Sequence, residues 1–216
     1  AHGTLTVVVE QEALEITTYR DDGVYADARH PEAVSFVRTI EEDLARRDFT
    51  MNALAYHPKR GILDPYGGVA DLEARTIRAV GDPARRFSED ALRILRACRF
   101  ASQLGFSIEP ATYAGMMANK GQLLRISAER VTHELECLLL GAHVHDALMG
   151  TVDVLAAVLP ELVACKGFEQ RTPYHVYDVL EHTAFVVQNP PPSPLVRWAA
   201  LFHDMGKPAA FFQDAD

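Results

Sequence analysis

Residues 86–100 read RFSEDALRILRACRF, and residues 46–55 read RRDFTMNALA. Both stretches space arginine, carboxylate or amide side chains three or four residues apart, so that in a helix they would lie one turn apart on one face. We therefore predict helices over residues 84–104 and 49–56. Side chains on such faces can converge on one ligand. This mixture suits a nucleotide, with guanidinium groups for phosphate oxygens and acid or amide groups for sugar and base edges.

The composition is that of a globular chain of moderate size. The 216 residues are 48% hydrophobic, enough for one good core or two modest ones. No apolar run reaches the length of a membrane span, and the N-terminus lacks a charged stretch followed by an apolar one, so we expect neither a membrane helix nor export. The three cysteines, Cys98, Cys137 and Cys165, match no zinc spacing and predict a reduced, cytoplasmic setting.

Charge is distributed unevenly along the chain. The formal net charge of −9 disfavours nucleic-acid binding over the whole surface. Residues 75–99 nevertheless contain seven arginines against three carboxylates. A local positive face is therefore sufficient for a nucleoside triphosphate, whereas a large nucleic acid would need basic surface that this chain does not obviously supply.

The secondary-structure pattern changes near residue 83. Upstream, β-branched runs at residues 3–9 and 14–19 predict a hairpin, and residues 76–80 predict a further extended piece. Downstream, Gly, Pro and Ser separate helical patterns. We therefore predict an α+β fold in which an antiparallel-containing sheet with helices is followed by an all-helical part. The other helices that we predict span 38–46, 110–118, 127–140 (with Ser127 as its N-cap), 143–150, 151–158, 174–188 and 194–204.

A first candidate site follows the first helical pattern. Asp48 and Asn52 are four residues apart, and together they would hold ribose hydroxyls, the acid accepting and the amide donating hydrogen bonds. Arg46 or Arg47 would meet phosphate oxygens with a two-pronged contact. From spacing alone, an equally good interpretation is that Asp48 only caps a helix beginning at Phe49 while the arginines are solvated.

A second candidate site lies near the start of the helix predicted over residues 84–104. Asp90 and Arg93 are one turn apart, so their side chains can pair and present acceptors and donors in a fixed plane that matches a base edge. Cytosine and adenine carry an exocyclic amine beside a ring acceptor, so one carboxylate with one guanidinium would accept both and reject uracil and guanine. The alternative from spacing alone is a surface ion-pair ladder that contributes about a few tenths of a kcal/mol per pair.

The two stretches resemble those of the bacterial-type tRNA nucleotidyltransferases, the CCA-adding enzymes and their poly(A) polymerase relatives, because several separate motifs occur in the right order. The resemblance implies that residues 1–82 form a partial nucleotidyltransferase head and that residues 83–165 form a helical neck and body. It also implies that Asp90 and Arg93 act as a protein template that selects CTP and then ATP. Nucleotide binding is implied for a further set of residues, namely Arg46, Arg47, Asp48, Asn52, Arg96 (as a phosphate or stacking contact) and Arg99.

Two other stretches resemble connecting motifs of the same family. Residues 64–72, with their two glycines, resemble a hinge between head and neck, although such glycines are equally consistent with an ordinary turn. Residues 127–135 resemble the last motif of the head and neck. For this motif we expect a structural role only, in which Arg130 and Glu134, one turn apart, brace the neck.

The resemblance also implies a magnesium site for phosphoryl transfer, because carboxylates must hold the metal that activates the attacking 3′-hydroxyl. Glu15 lies where this superfamily places its third active-site carboxylate, although an exposed strand glutamate is the commoner interpretation of such a residue. The family's Gly-Gly-x-x-Arg-Asp segment does not occur, and the only Asp-x-Asp is at residues 214–216. We therefore expect the chain to be part of a longer enzyme that does not catalyse nucleotide addition in this form.

A second resemblance begins near residue 166. Its polar residues are Tyr174, His175, Asp178, His182, His203 and Asp204, followed by Gly-Lys-Pro. They resemble the start of an HD metal-dependent phosphohydrolase domain over residues 166–216. Imidazole and carboxylate groups suit a divalent metal, and His182, His203 and Asp204 are the implied ligands. The alternative is a structural His-Asp pair at a helix end.

The sequence thus predicts an enzyme that adds CMP and AMP to the 3′ end of tRNA from CTP and ATP, with Mg²⁺ and without a nucleic-acid template. Within the family, a poly(A) polymerase, or an enzyme that adds only CC or only A, shares the base-reading motif. A second class is an HD phosphohydrolase with a vestigial nucleotidyltransferase part. A non-catalytic RNA-binding module is disfavoured by the net charge and by the lack of aromatic-rich strands. The sequence indicates neither a membrane partner nor an oligomeric state.

Overall fold

The computed structural model describes residues 4–21, 35–169 and 176–211. Short strands and short helices are mixed in the first part of the chain, and helices dominate from Pro83 onward. The α+β fold class that the sequence predicts is therefore confirmed.

The predicted N-terminal hairpin is present. Strand β1 (Thr4–Val9) pairs antiparallel with strand β2 (Glu12–Thr17). Glu10 and Gln11 form the turn, and both have left-handed backbone angles, with φ of 48° and 72°. Two-residue turns with positive φ match the twist of the strands that they connect, so this turn fixes the register of the hairpin.

A short strand pair leads into the first helix. Strand β3 (Arg20–Asp21) pairs antiparallel with strand β4 (Ser35–Phe36), and helix α1 covers Ile40–Ala45. Thr39 begins α1 with a capping box, in which its hydroxyl accepts a hydrogen bond from the Glu42 backbone at 3.4 Å and the Glu42 carboxylate accepts one from the Thr39 backbone at 3.3 Å. Both backbone donors are thereby satisfied, and α1 begins at a fixed point.

The helix predicted over residues 49–56 is wrong. Thr50–Asn52 form a single 3₁₀ turn, and strands β5 (Ala55–His57) and β6 (Gly61–Leu63) form a hairpin. The physical reason is tertiary pairing, because the chain at the start of this turn exchanges backbone hydrogen bonds of 2.9 and 3.1 Å with residues 78–80. A segment whose backbone groups pair with a neighbouring segment cannot also pair them within a helix.

Helix α2 (Gly68–Glu73) packs on this turn through a glycine. A Cβ on Gly68 would lie 2.2 Å from the Thr50 carbonyl oxygen, so only glycine permits the approach. The Asp64 carboxylate accepts hydrogen bonds from the backbone N–H groups of Gly68 and Val69 at 2.7 and 3.0 Å. These bonds lie at the start of α2, where the predicted loop ends. Close packing thus accounts for this glycine, and the hinge stays a prediction.

The long helix predicted over residues 84–104 is two helices. Helix α3 covers Pro83–Glu89 and helix α4 covers Leu92–Leu104, with Asp90 between them in an extended conformation. The Asp90 carboxylate accepts a hydrogen bond from the Leu92 backbone N–H at 3.0 Å. This local bond stabilises the start of α4 in the way that an N-cap does. The sequence does not show the break, because Asp90 fits the three-residue spacing of a continuous helix.

A parallel strand pair joins the two parts of the chain. Strand β7 (Thr76–Ile77) pairs with strand β8 (Ser107–Ile108), which follows α4. The extended piece predicted over residues 76–80 is therefore confirmed as a strand at its start. Its partner lies in the part that was predicted to be all helical, and that prediction is wrong at β8.

Downstream of β8 the structure is helical. Residues 143–150 and 151–158, predicted as two helices, form one helix, because the buried face of that helix outweighs the cost of about 1 kcal/mol for Gly150. Ser127 precedes the next predicted helix as its N-cap, but its side chain makes no capping hydrogen bond. The elements are α5 (Pro110–Asn119), a 3₁₀ helix (Lys120–Arg125), α6 (Ala128–Leu139), α7 (Val144–Leu155), α8 (Glu161–Cys165), α9 (Val179–Gln188), α10 (Pro194–Phe202) and α11 (Lys207–Ala210).

One hydrophobic core connects most of these elements. A cluster of buried side chains includes residues from Phe49 to Met205, and α4 packs against both α6 and α7. A smaller cluster of Leu44, Ala53 and Val80 holds the end of α1 against the chain that follows it. In the ranges that the structure describes, every helix is too short or too polar to cross a membrane.

Two neighbouring leucines provide a matched test of this core. Leu123 is 1% exposed and Leu124 is 76% exposed, and both lie on the 3₁₀ helix after α5. We expect Leu123→Ala to lower the free energy of unfolding by about 2–5 kcal/mol, because it leaves a cavity. Leu124→Ala should change that free energy by less than about 0.5 kcal/mol. Urea unfolding followed by circular dichroism measures both, and equal effects would contradict the packing.

Candidate functional site

The carboxylate of Asp48 joins the two stretches that the sequence analysis singled out. Its Oδ1 accepts hydrogen bonds from the Phe49 backbone N–H at 2.8 Å and from Asn52 Nδ2 at 3.1 Å. Its Oδ2 accepts from Arg96 on α4, with Nε at 2.8 Å and Nη2 at 2.7 Å. Asp48 is 8% exposed, and this charge-assisted contact offsets the cost of burying a carboxylate. Asp48 therefore does more than cap the local turn.

Arg46 and Arg47 are held by a residue that the sequence analysis missed. Asp43, which is 3% exposed, accepts Arg46 Nε and Nη2 at 3.1 and 2.6 Å and Arg47 Nη2 at 3.3 Å. Arg47 Nη1 also donates to the Asn52 carbonyl at 3.1 Å. The spacings of three and four residues from Asp43 are the signal that could have identified it. Both guanidinium groups are thus fixed in the chain next to Asp48.

Two arginines tie the end of α1 to the break between α3 and α4. Arg86 Nη2 donates to the Ala45 carbonyl at 2.7 Å, and Arg93 Nη2 donates to the Arg46 carbonyl at 3.0 Å. Carbonyl groups at a helix C-terminus have no partner within their own helix. Oε2 of Glu89 lies 2.8 Å from Arg86 Nη1 and 3.0 Å from Arg93 Nη1. We refer to Arg86, Glu89 and Arg93 as the clamp.

The predicted pair of Asp90 and Arg93 does not form. Asp90 Oδ2 lies 3.2 Å from Arg130 Nη2 on α6, whereas Arg93 belongs to the clamp and is 8% exposed. Because Asp90 lies outside α4 in an extended conformation, it does not share a helix face with Arg93. Both residues nevertheless lie at the same break, at the N-terminal end of α4. The structure therefore brings the two residues together through a backbone hydrogen bond of 3.1 Å from Arg93 N–H to the Asp90 carbonyl, but it does not pair their side chains.

An ion pair joins α6 to α4 beside the hydrophobic contact of the two helices. Arg99 Nη1 lies 3.3 Å from Glu134 Oε2, and the guanidinium carbons of Arg96 and Arg99 lie 5.5 and 4.5 Å from the centre of the Phe100 ring. Burial raises the pKa of the Glu134 carboxyl above its ordinary value, although the charges of Arg99 and Arg96 act in the opposite direction. Arg130 and Glu134 thus reach across to Asp90 and α4, and not to each other as their spacing suggested.

The predicted magnesium site is not formed by the residues that the structure describes. Glu15 lies in β2 opposite Thr6 and is exposed. In the described ranges, Glu15 belongs to no group of three or more side chains placed to hold a metal. The Asp-x-Asp at residues 214–216 lies outside those ranges. The catalytic role of Glu15 therefore stays a prediction.

Three side chains of the second resemblance converge between α9 and the end of α10. His203 Nε2 lies 3.3 Å from His182 Nε2 and 3.1 Å from Asp204 Oδ2, and His182 Nε2 lies 3.6 Å from the same oxygen. Of the residues described, these alone form a group of three or more possible metal ligands whose ligand atoms lie within 4.8 Å of one another.

The chemistry of this group fits a divalent metal. His203 Nδ1 lies 2.7 Å from the Ala200 carbonyl, which makes Nδ1 the protonated nitrogen and leaves the lone pair on Nε2, facing the group. Burial acts to raise the pKa of Asp204, but the hydrogen bond from Lys207 Nζ at 2.7 Å and the charge of Lys207 act in the opposite direction, and the pKa lies below its ordinary value. The carboxylate is therefore available as an ionised ligand.

The other residues of this resemblance lie elsewhere. Asp178 is the N-cap of α9, where its carboxylate accepts the backbone N–H groups of Glu181 and Gly167, each at 2.7 Å. Those bonds begin α9 at Val179, later than the helix predicted from residue 174. Tyr174 and His175 lie outside the described residues.

Two protein families match the chain in the order of its two structural parts. The family described as the poly A polymerase head domain matches residues 1–78. The family described as a probable RNA and SrmB-binding site of polymerase A matches residues 105–165. The first match ends at β7 and the second extends from β8 to α8.

Individual relatives are similar over nearly the whole chain. The CCA-adding enzyme of Geobacillus thermodenitrificans is 54% identical over 206 residues, which are 95% of this chain and 48% of that enzyme. The crystal structure of the Bacillus stearothermophilus CCA-adding enzyme in complex with CTP is 37% identical, with a TM-score of 0.71, and covers 95% of this chain and 47% of its own. A tRNA nucleotidyltransferase complexed with a primer tRNA and an incoming ATP analogue is 26% identical, with a TM-score of 0.59 and coverages of 87% and 57%.

The chain spans about half the length of the curated relatives it matches. The matched families, the curated relatives and the solved structures all indicate the same family. This chain belongs to the family of the bacterial-type tRNA nucleotidyltransferases and poly(A) polymerases, which includes the CCA-adding enzymes.

Proposed function

We propose that this chain provides the nucleotide-binding part of an enzyme that adds CMP and AMP to the 3′ end of tRNA without a nucleic-acid template. The observation that carries the proposal is the ion pair of Asp48 with Arg96, because it brings two nucleotide-type motifs into one site. The names of the relatives, and the CTP, tRNA and ATP analogue bound in the matched structures, support tRNA, CTP and ATP as partners.

Sugar and phosphate binding belong to the residues around Asp48. Asn52 donates one amide N–H to Asp48, and its second N–H remains for a ribose hydroxyl. Arg47 Nε is buried without a hydrogen-bond partner in the described part of the chain, and an anionic oxygen is the kind of group that satisfies such a donor. Arg46 lies beside it, and Arg96, whose side chain is 33% exposed, extends the positive surface along α4 toward Arg99.

Base reading belongs to Asp90 and Arg93, each of which is held separately. Asp90 accepts one hydrogen bond on each oxygen, from Leu92 and Arg130, and a carboxylate has about four acceptor sites, so capacity remains for an exocyclic amine. Arg93 donates to Glu89 and to two backbone carbonyls, which leaves part of its five N–H groups for a ring acceptor. Cytosine and adenine present that amine beside that acceptor.

The metal of the proposed transfer reaction is Mg²⁺, by analogy with enzymes that move nucleotidyl groups. The described residues contribute only Glu15 to such a site, so no step of the reaction is attributed to the metal. The chain is proposed to comprise a partial head (1–82), a neck and body (83–165) and the start of an HD domain (166–216), and the two family matches support the first two. The free cysteines of the chain favour a cytoplasmic location.

The group of His182, His203 and Asp204 favours a second function, metal-dependent hydrolysis of a phosphate ester. These three side chains would hold a divalent cation, which when bound polarises a phosphoryl oxygen. The ammonium group of Lys207 lies 2.7 Å from Asp204 Oδ2, the oxygen that would also bind the metal. A metal would therefore take the place of that contact.

Calorimetric titration of this chain with CTP, ATP, UTP and GTP in the presence of Mg²⁺ tests the transferase proposal. We expect CTP and ATP to bind more tightly than UTP and GTP. Asp90→Ala should reduce this preference about tenfold or more, because one well-aligned base contact contributes about 1–3 kcal/mol of discrimination. Glu73→Ala, which removes an exposed carboxylate on α2, is the control. Equal affinity for all four nucleotides, or a preference that survives Asp90→Ala, would contradict the proposal.

Titration with Mn²⁺ tests the second function. We expect one ion to bind, and His203→Ala to weaken it by about tenfold or more, because it removes one of the three ligands. His57→Ala, at the exposed end of the β5–β6 hairpin, should leave the affinity unchanged. Manganese-dependent hydrolysis of p-nitrophenyl phosphate that disappears in His203→Ala would support the hydrolase. Equal Mn²⁺ affinity in both variants would exclude this site.

A further inference from the structure

Arg130, in the first turn of α6, contacts the carboxylate to which base reading is attributed. Its Nη2 lies 3.2 Å from Asp90 Oδ2, and 29% of the Arg130 side chain and 20% of the Asp90 side chain are exposed. The other Asp90 oxygen accepts the Leu92 backbone N–H at 3.0 Å. The carboxylate is therefore fixed through both oxygens, one by its own segment and one by a different helix.

The backbone that carries Arg130 is itself anchored. Helix α6 packs along α4, and one turn after Arg130 the side chain of Glu134 pairs with Arg99 at 3.3 Å. Glu134 is 4% exposed, so this second ion pair is shielded from water and keeps α6 in a fixed rotation relative to α4. The contact between Arg130 and Asp90 thus joins two elements whose separation is already set.

Hydrogen-bonding capacity remains unused at this junction. Arg130 Nη1 and Arg99 Nε are buried and have no hydrogen-bond partner in the described part of the chain. Buried polar atoms rarely stay unpaired in folded proteins. The unpaired Nη1 belongs to the same guanidinium that holds Asp90, so this guanidinium retains a donor that the described residues do not satisfy.

We propose that Arg130 is a positioning residue for base selection, which orients the Asp90 carboxylate so that a free lone pair faces the exocyclic amine of cytosine or adenine. This inference rests on the transferase function proposed above, and it extends base selection to a motif for which the sequence predicted only a structural role. Arg130 thus affects the preference of the site for one base over another. Binding of the triphosphate by Arg46 and Arg47 does not depend on it.

The affinities of CTP and UTP for Arg130→Ala, Arg130→Lys and Arg125→Ala test this inference. We expect Arg130→Ala to lower the preference for CTP over UTP about fivefold or more, mainly through weaker CTP binding, because an oriented acceptor is lost. Arg130→Lys keeps a cation and should retain part of the preference. Arg125 is an exposed arginine on the preceding 3₁₀ helix, and Arg125→Ala should retain all of it.

A double substitution separates positioning from a general structural role. If Arg130 acts through Asp90, then adding Arg130→Ala to Asp90→Ala leaves the CTP to UTP preference of Asp90→Ala unchanged. An unaltered preference in Arg130→Ala, or an equal loss of CTP and UTP binding, overturns the inference alone. An unaltered chain without any base preference overturns the proposed function and the inference with it. If Arg130→Ala does not fold, Arg130→Gln replaces it, and an unaltered preference in that variant overturns the inference.

Discussion

The capture of two carbonyl groups at the end of α1 by Arg86 and Arg93 is the interaction on which the rest of the site depends. A helix end packed against another element needs partners for its last carbonyls, and here both come from the α3–α4 region. The Glu89 carboxylate pairs with both guanidinium groups, which would be costly to bury without an opposite charge. The three side chains of the clamp therefore stabilise one another, and they fix the end of α1 relative to α4.

The clamp sets the positions of the two segments to which nucleotide binding is attributed. The chain that leaves α1 places Asp48 against Arg96, and the break that begins α4 places Asp90 against Arg130. Groups suited to sugar and phosphate thus come from the α1 side, and groups suited to a base come from the α3–α4 break. Their separation is set by packed helices and buried ion pairs rather than by a loop. Such rigidity is what discrimination between bases of similar size requires.

Local patterns were sufficient to predict the β1–β2 hairpin, most of the helices and the proximity of the Asp48 and Asn52 side chains. They failed where a hydrogen-bond or ion-pair partner far away in the sequence determines the local structure. The predicted helix over residues 49–56 is replaced because its backbone pairs with residues 78–80. The predicted pair of Asp90 and Arg93 is replaced because each side chain finds a partner outside the expected helix turn. The contacts of the clamp with the end of α1 could not be predicted from the sequence, because the acceptors there are backbone carbonyls, which no residue type marks.

A crystal structure of this chain with bound CTP would show whether the two motifs form one nucleotide site. We expect a single site in which the cytosine amine lies about 3 Å from an Asp90 oxygen and the phosphates lie beside Arg46 and Arg47, with the clamp intact. CTP bound away from Asp90, or a bound state in which Asp48 and Arg96 have separated, would contradict the claim that the clamp builds one nucleotide site from the two motifs.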